Sequence, residues 1–376
     1  SQCMTLQIVE VRSKRDLKAF IHLPEKIHQH HKNWIPPIYM DEWDFYNPAK
    51  NSAFRHCDTI MLLALHNNKP VGRIMGIINH KYNKTHNENY GRFFNLECNE
   101  DPETALALTT AVEDWAGKKG MTKIIGPLGF SEKDPQGFMI EGFDQPMVVA
   151  TNCSLPYMPV LIEQCGYNKE IDLVTYRLDI PDGIPEIYHA AYQRVNHNGG
   201  FTMKEFTTKK ELRKYIRPVF QLVNEAYAEI YGFAELEPDE MEYLANKYMF
   251  ILNPRFIKIV FDKKDQIAAF IISMPELANG IRKARGRLFP FGFLKILREG
   301  RTTKMLTLYL GAIKEEYRNN GLDALMGMKI LDTAKKEGMT FIDGHLVLET
   351  NMKMRREFEK LGGQVYKRYR IYQKAL

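Results

Sequence analysis

The stretch from Lys304 to Gly363 leaves this chain little freedom in what it can fold into. It opens with an apolar run, Met305 to Ile313, rich in Leu and in β-branched or aromatic residues and of the length of one buried strand. KEEYRNN and Gly321 then make a turn. Leu322, Leu325, Met326, Ile330, Leu331 and Ala334 follow at helical spacing, and Gly338 is placed to stop that helix. A second apolar strand runs from Phe341 to Leu348. A strand-helix-strand unit of this length predicts two parallel neighbours in one sheet.

The turn between the first strand and the helix carries the chemistry. Arg318-Asn319-Asn320-Gly321 falls where the backbone bends sharply, and Gly321 lets amide groups approach a ligand with no Cβ in the way. Free N–H groups at a helix N-terminus, together with the positive end of its dipole, attract a phosphate, and Arg318 adds a charge-assisted donor. An ordinary helix start fits the same four residues.

The segment after the second strand is more specific. Glu349-Thr350-Asn351 opens a short helix carrying Met354, Phe358 and Leu361, closed by Gly362-Gly363 before a last strand, Gln364 to Lys374. Taken together, this region resembles the GNAT superfamily of acyl-CoA-dependent N-acyltransferases. Ile313-x-x-x-Tyr317-Arg318-x-x-Gly321-x-x-Ala324 resembles its pyrophosphate loop, and Asn351-x-x-Met354-x-x-x-Phe358-Glu359-Lys360-Leu361-Gly362 resembles the helix whose Asn lies beside the pantetheine arm. The resemblance implies acetyl-CoA or another acyl-CoA as co-substrate, with Ala312, Ile313, Arg318, Asn319, Asn320, Gly321, Leu322, Asp323, Ala324 and Asn351 as its binding residues.

Two positions depart from the family pattern. Asp323 stands where a Gly or Ala is usual, and its carboxylate is expected to face away from the pyrophosphate and cap the turn at Asn319 or Asn320. Phe358 stands where many members place a Tyr that protonates the departing thiolate, so no phenol is available there.

The reaction implied is acyl transfer to an amine by direct attack on the thioester. An alkylammonium has a pKa of about 10.4, so a base or a water relay must first remove a proton. The strand Met305 to Ile313 carries no Glu, which leaves Tyr309, His345 and Glu349 as candidates, each with an equally plausible structural role. Backbone N–H groups near Ala312 and Ile313 would polarise the thioester carbonyl, as the resemblance implies. The competing reading is a non-catalytic acyl-CoA-binding or scaffolding protein.

A chain of 376 residues exceeds what one core usually organises. The expected fold is α/β: two GNAT-like domains in tandem, each a mixed, mostly antiparallel sheet flanked by helices. Residues 1–178 form a degenerate copy and residues 187–376 the acyl-CoA-binding one, joined by the turn-rich Asp179-Ile180-Pro181-Asp182-Gly183-Ile184-Pro185. In the first half, Leu6 to Val11 reads as a strand and Ser13 as the cap of a helix to about Leu23. Thr59 to Leu65 and Val71 to Asn79 read as a hairpin, followed by a strand from Gly91 to Cys98, a helix from Pro102 to Lys119 and a strand from Lys123 to Gly126. Its turn, Asn99-Glu100-Asp101-Pro102, is acidic, which suits a helix cap and opposes pyrophosphate. The loop GPLGFSEKDPQGFMIEGFD reads as substrate-facing. In the second half, Phe201 to Phe206 is a strand, Thr208 caps one long helix through Tyr227, and Pro238 starts another to about Phe250.

His28, His30 and His31 lie close in sequence, but their spacing does not converge on an ion, and a solvated face is expected. Cys3, Cys57, Cys98, Cys153 and Cys165 show neither zinc nor disulfide spacing. A net charge of +6 permits an anionic nucleotide cofactor without requiring nucleic acid. No apolar stretch approaches the roughly 18 residues needed to cross a bilayer, so a soluble cytoplasmic protein without a membrane partner is expected. From Arg282 to Lys304, basic residues alternate with Phe289, Phe291 and Phe293. That segment is an amphipathic insertion with its phenylalanines packed inward, a patch near the adenosine phosphates or for an acidic acceptor, or a nucleic-acid grip.

Overall fold

The computed structural model describes residues 5–376. The first half of the chain forms β1 (Leu6–Glu10), α1 (Lys14–Ile27), α2 (Tyr39–Phe45), β2 (Cys57–His66), β3 (Lys69–Asn79), α3 (His80–His86), β4 (Tyr90–Cys98), α4 (Pro102–Lys118), β5 (Lys123–Gly126), β6 (Phe138–Glu141), α5 (Tyr157–Gln164) and β7 (Asn168–Asp179). The second half forms α6 (Glu186–Asn198), β8 (Thr202–Glu205), α7 (Lys209–Arg213), α8 (Ile216–Ala226), α9 (Pro238–Met249), β9 (Ile257–Phe261) and β10 (Ile267–Pro275). It continues with α10 (Ala278–Ala284), α11 (Gly292–Thr302), β11 (Met305–Ile313), α12 (Leu322–Lys336), β12 (Phe341–Leu348), α13 (Met352–Lys360) and β13 (Gln364–Ala375).

Local chemistry explains most of these boundaries. Ser13 accepts the amide of Asp16 and starts α1, and Asp101 accepts the amide of Glu103 and starts α4, so the acidic turn before α4 is spent on a cap. The β2–β3 hairpin closes through Asn67 and Asn68, both at positive φ, as a tight two-residue turn requires. The long helix expected after Thr208 is instead two: Pro218 has no N–H for the Lys214 carbonyl, and the helix stops at Arg213 and restarts at Ile216.

The strands form one mixed, largely antiparallel sheet with helices on both faces, in the order β1-β2-β3-β4-β5-β13-β7-β12-β11-β10-β9-β8, with β6 also paired to β13. Only β4 with β5 and β11 with β12 run parallel. The terminal strand of each half crosses over: β13 pairs with β5, and β7 pairs with β12. The two cross-over strands also pair with each other from Gln364↔Arg177 to Gln373↔Asn168. Beneath α12 and α6 the second half buries Leu306, Leu322, Met326, Ile330 and Ile342. Its other face, under α8, buries Phe206, Val223, Ile259 and Phe270. Removing each such side chain from water contributes about 1.5–3 kcal/mol.

Candidate active site

β11 and β12 stay paired for only three positions, Met305↔Phe341, Leu306↔Ile342 and Thr307↔Asp343, and then part. Both strands bulge where they separate. β11 slips by a residue at Tyr309 against β10, and β12 slips at Gly344 and His345 against β7, with His345 at φ 57. A bulge re-aims a side chain, and here the two bulged residues meet: the rings of Tyr309 and His345 stand edge to face with centroids 5.2 Å apart.

The surroundings of this pair are buried and polar. The Nε2 of His345 is out of solvent and has no hydrogen-bond partner among the described residues, while its backbone N–H donates to Asp343 at 2.7 Å. Burial holds the His345 imidazole below its ordinary pKa, so it is neutral at pH 7. The Tyr309 hydroxyl donates to that of Tyr248 at 2.7 Å, and burial raises the Tyr309 pKa. Asp343 accepts from the Tyr366 hydroxyl as well. Lys367, 1% exposed, donates to the Pro146 carbonyl, and burial lowers its pKa against the pull of Asp343, Cys153 and Glu276. Glu276 accepts from Thr307 at 2.7 Å and from the amides of Val149 and Ala278, and burial raises its pKa. Asp343, Lys367 and Glu276 are not singled out in the sequence analysis: Asp343 and Glu276 are single charges in or beside apolar strands, and Lys367 is one of four basic residues of β13.

The third candidate, Glu349, is held elsewhere. Its carboxylate accepts from Lys169 at 3.0 Å and Arg368 at 3.2 Å, within an open cleft of about 720 Å³ that Asp172 and Arg370 also line. The structure therefore brings Tyr309 and His345 together and engages Glu349 in a separate ion cluster.

The turn before α12 lies at the far end of β11. Asn319 and Gly321 take left-handed conformations, with φ 68 and 80. The Tyr317 hydroxyl ties the loop to Asp262 in the β9–β10 turn at 2.9 Å. No side chain of the described residues caps α12, so Asp323 does not make the expected cap; Asp323 is exposed and its charge bears on Tyr188 of α6. The glycine has a second reason as well: a Cβ at Gly321 would lie 3.2 Å from the side chain of Val195 on α6. Arg318, Asn319 and Asn320 are exposed, whereas Leu322 is 1% exposed and Ala324 packs against the core. Ala312 and Ile313 continue β11 past the point where β12 leaves it, so that edge has no strand beside it. Asn351 caps α13 by accepting the Met354 amide at 3.2 Å. Phe358 is buried and stacks on Tyr176 of β7 with centroids 5.2 Å apart. This turn fits an anionic group: its first-turn amides carry no side-chain cap, and Arg318 forms no ion pair among the described residues.

The first half repeats the fork without the turn. β4 and β5 pair only from Tyr90↔Lys123 to Arg92↔Ile125, and β4 bulges at Asn95. Beside it His28 is not on a solvated face. It is 3% exposed, stacks on Trp34, bonds Glu97 at 3.0 Å through Nε2 and meets His31 at 2.9 Å through Nδ1. His31 then reaches the Cys153 sulfur at 3.7 Å, while His30 is exposed. Burial pushes the Cys153 thiol up to about 11, and burial with the neighbouring His28 lowers His31. These groups form a chain rather than a ring about one point. The loop 127–137 lines a small cavity of about 50 Å³ with Tyr243, Lys247 and Tyr248, the last being the partner of Tyr309.

A tandem GNAT protein from the clavulanic acid biosynthesis pathway superposes with a TM-score of 0.58 at 12% identity, covering 99% of this chain and 98% of that one. The chain carries the GNAT fold. Its sequence matches no protein-family model. It is 28% identical to a bacterial ceramide synthase of Caulobacter vibrioides over 99% of this chain and 98% of that protein. It is 26% identical to the protein YghO of Escherichia coli over 97% and 94%.

Proposed function

We propose that this protein is an acyl-CoA-dependent N-acyltransferase whose acceptor is the primary amine of a long-chain amino lipid. The observation that carries the reading is the neutral, unpartnered His345 imidazole at the β11–β12 fork, opposite Tyr309. Two further findings support it: the GNAT fold, and end-to-end similarity to a ceramide synthase, a ceramide being the amide of a fatty acid with a long-chain amino alcohol.

In this reading the first-turn amides of α12 and Arg318 hold the pyrophosphate, and the open edge of β11 around Ala312 and Ile313 receives the pantetheine arm. Bound there, acyl-CoA supplies an activated thioester carbonyl. His345 takes one proton from the acceptor ammonium at Nε2, which frees the nitrogen lone pair to attack the carbonyl; as the C–S bond breaks the nitrogen gives up a second proton, the thiolate takes up a proton to leave as CoASH, and His345 later returns its own to solvent. The Tyr309 ring, packed edge to face against the imidazole, orients it, and its hydroxyl, bonded to that of Tyr248, offers a path for the proton passed from nitrogen to thiolate. The buried Asp343 holds the bulge by accepting the His345 backbone N–H, which fixes where the ring points.

The test is direct. The purified protein is given acyl-CoA donors from acetyl to long-chain, each with a panel of amines that includes sphinganine and short polyamines, and products are read by mass spectrometry. Formation of the N-acyl long-chain amine is expected. Turnover of short amines only would refute the acceptor class, and CoA binding with no amide from any amine would favour the non-catalytic reading.

A further inference from the structure

α10 and α11 form a helical hairpin inserted between β10 and β11. Its inner face is fixed: Ile296 is fully buried with Ile281, Ala284 and Ile35, and a Cβ at Gly280 would lie 2.9 Å from the Ile296 backbone, so the two helices touch closely. Among the described residues nothing covers its outer face. Phe289 is 66% exposed, Phe291 67%, Leu294 51% and Leu297 39%. Of the three readings of this segment, the one in which its phenylalanines pack inward fails at Phe289 and Phe291. In α11, Leu294, Leu297, Arg298 and Arg301 succeed one another at short helical steps on the face opposite Ile296, an apolar stripe that turns basic at its end.

Charge identifies what covers this face. Between Arg282 and Lys304 stand eight Lys and Arg residues against one acid, Glu299, while the whole chain carries only +6, so the rest of the protein is close to neutral. All eight are exposed, and none forms an ion pair among the described residues. The hairpin adjoins the start of β11, and the α12 turn follows its far end, so Lys304 is nine strand residues away from the expected phosphate site.

We propose that this hairpin docks the protein on an anionic membrane surface, with Phe289, Phe291, Leu294 and Leu297 entering the interface and the surrounding Lys and Arg residues against lipid phosphates. A preformed helix with apolar and basic faces is what lies in the plane of such an interface. A second copy of this chain would bring the same positive charge against itself. Nucleic acid would leave the two leucines without a stacking partner. Docking is peripheral and needs no membrane-crossing helix, and no helix of the described residues is long and apolar enough to be one.

The experiment is co-sedimentation of the full chain with vesicles of phosphatidylcholine alone or mixed with phosphatidylglycerol, which requires no turnover. Capture by the anionic vesicles, weakened by salt, is expected. The Phe289→Ser/Phe291→Ser double variant should bind about tenfold or more weakly with its melting temperature kept, since both side chains are exposed. Arg298→Gln/Arg301→Gln should bind several-fold more weakly and show less salt dependence. Equal capture by neutral and anionic vesicles, or a double Phe variant that binds like the parent, would overturn the proposal. So would a concentration-dependent dimer, or oligonucleotide binding without vesicle binding, that the Phe substitutions abolish.

Discussion

His345 combines a left-handed backbone with a buried ring nitrogen that has no partner among the described residues, and that burial depresses its pKa. Because burial lowers that pKa, the base form persists below the ordinary imidazole value of about 6.5, so the acid limb of kcat assigned to it should lie below pH 6.5. His345→Asn keeps a residue type that tolerates positive φ and should cut kcat by about 10²–10⁴-fold while removing that limb. A variant retaining both rate and limb would exclude His345 as the base. At the α12 turn, Arg318→Ala should weaken CoA binding roughly 10- to 100-fold, measured by calorimetry. Asp323→Ala has no cap to lose; it should change stability by less than about 1 kcal/mol and strengthen CoA binding, and a large loss of melting temperature would contradict the uncapped geometry. Tyr309 and His345 can be picked out of the sequence as polar groups on central strands, but that they meet follows only from the two bulges. Asp343 stands on the same strand as His345, and Lys367 among other basic residues of β13, and their burial shows only once their neighbours across the sheet are known. His28 escapes a sequence reading for the same reason: its partner Glu97 lies far along the chain.

Elements were legible where their causes are local. Caps at Ser13 and Asp101, the Asn67-Asn68 turn and the Gly338 stop all act within a few residues, and their strands and helices stand close to where periodicity places them. The break between α7 and α8 is hidden although its cause, Pro218, is visible, because apolar spacing continues across it. The hairpin of α10 and α11 was visible as a basic, aromatic segment, but which face its phenylalanines take depends on what the rest of the fold leaves uncovered. Gly321 joins two elements, serving the turn by its φ and α6 by lacking a side chain. Gly321→Ala should therefore cost about 1–2 kcal/mol from the left-handed backbone alone. Its contact with Val195 adds to that, and Val195→Ala should restore part of the loss. Restoration would appear as a partial recovery of melting temperature in the double variant. Strictly additive losses would mean that α6 does not press on the turn.

At the scale of the whole molecule, strand-helix-strand order predicts which strands exist but not their distant partners. The parallel β11–β12 neighbours follow from one short crossover, whereas β13 is joined to β5 by hydrogen bonds between positions more than half the chain apart, and no local pattern encodes that choice. The exchange has a mechanical consequence. β13 pairs with β5 and β6 on one edge and β7 on the other, and it contributes Tyr369, Ile371 and Tyr372 to buried clusters that residues from the first half complete. Ending the chain at Gly363 should therefore remove the cooperative thermal transition of the first half as well as the second, although every residue before Gly363 is intact. Cutting the chain between Asp179 and Glu186 breaks no strand, so the two fragments should stay together as one particle in size-exclusion chromatography and still melt in one transition. The two results together separate strand exchange from simple adjacency. If the chain ending at Gly363 kept a cooperative melt of its first half, or if the cut fragments parted under native conditions, β13 would not be the strand that holds the halves together.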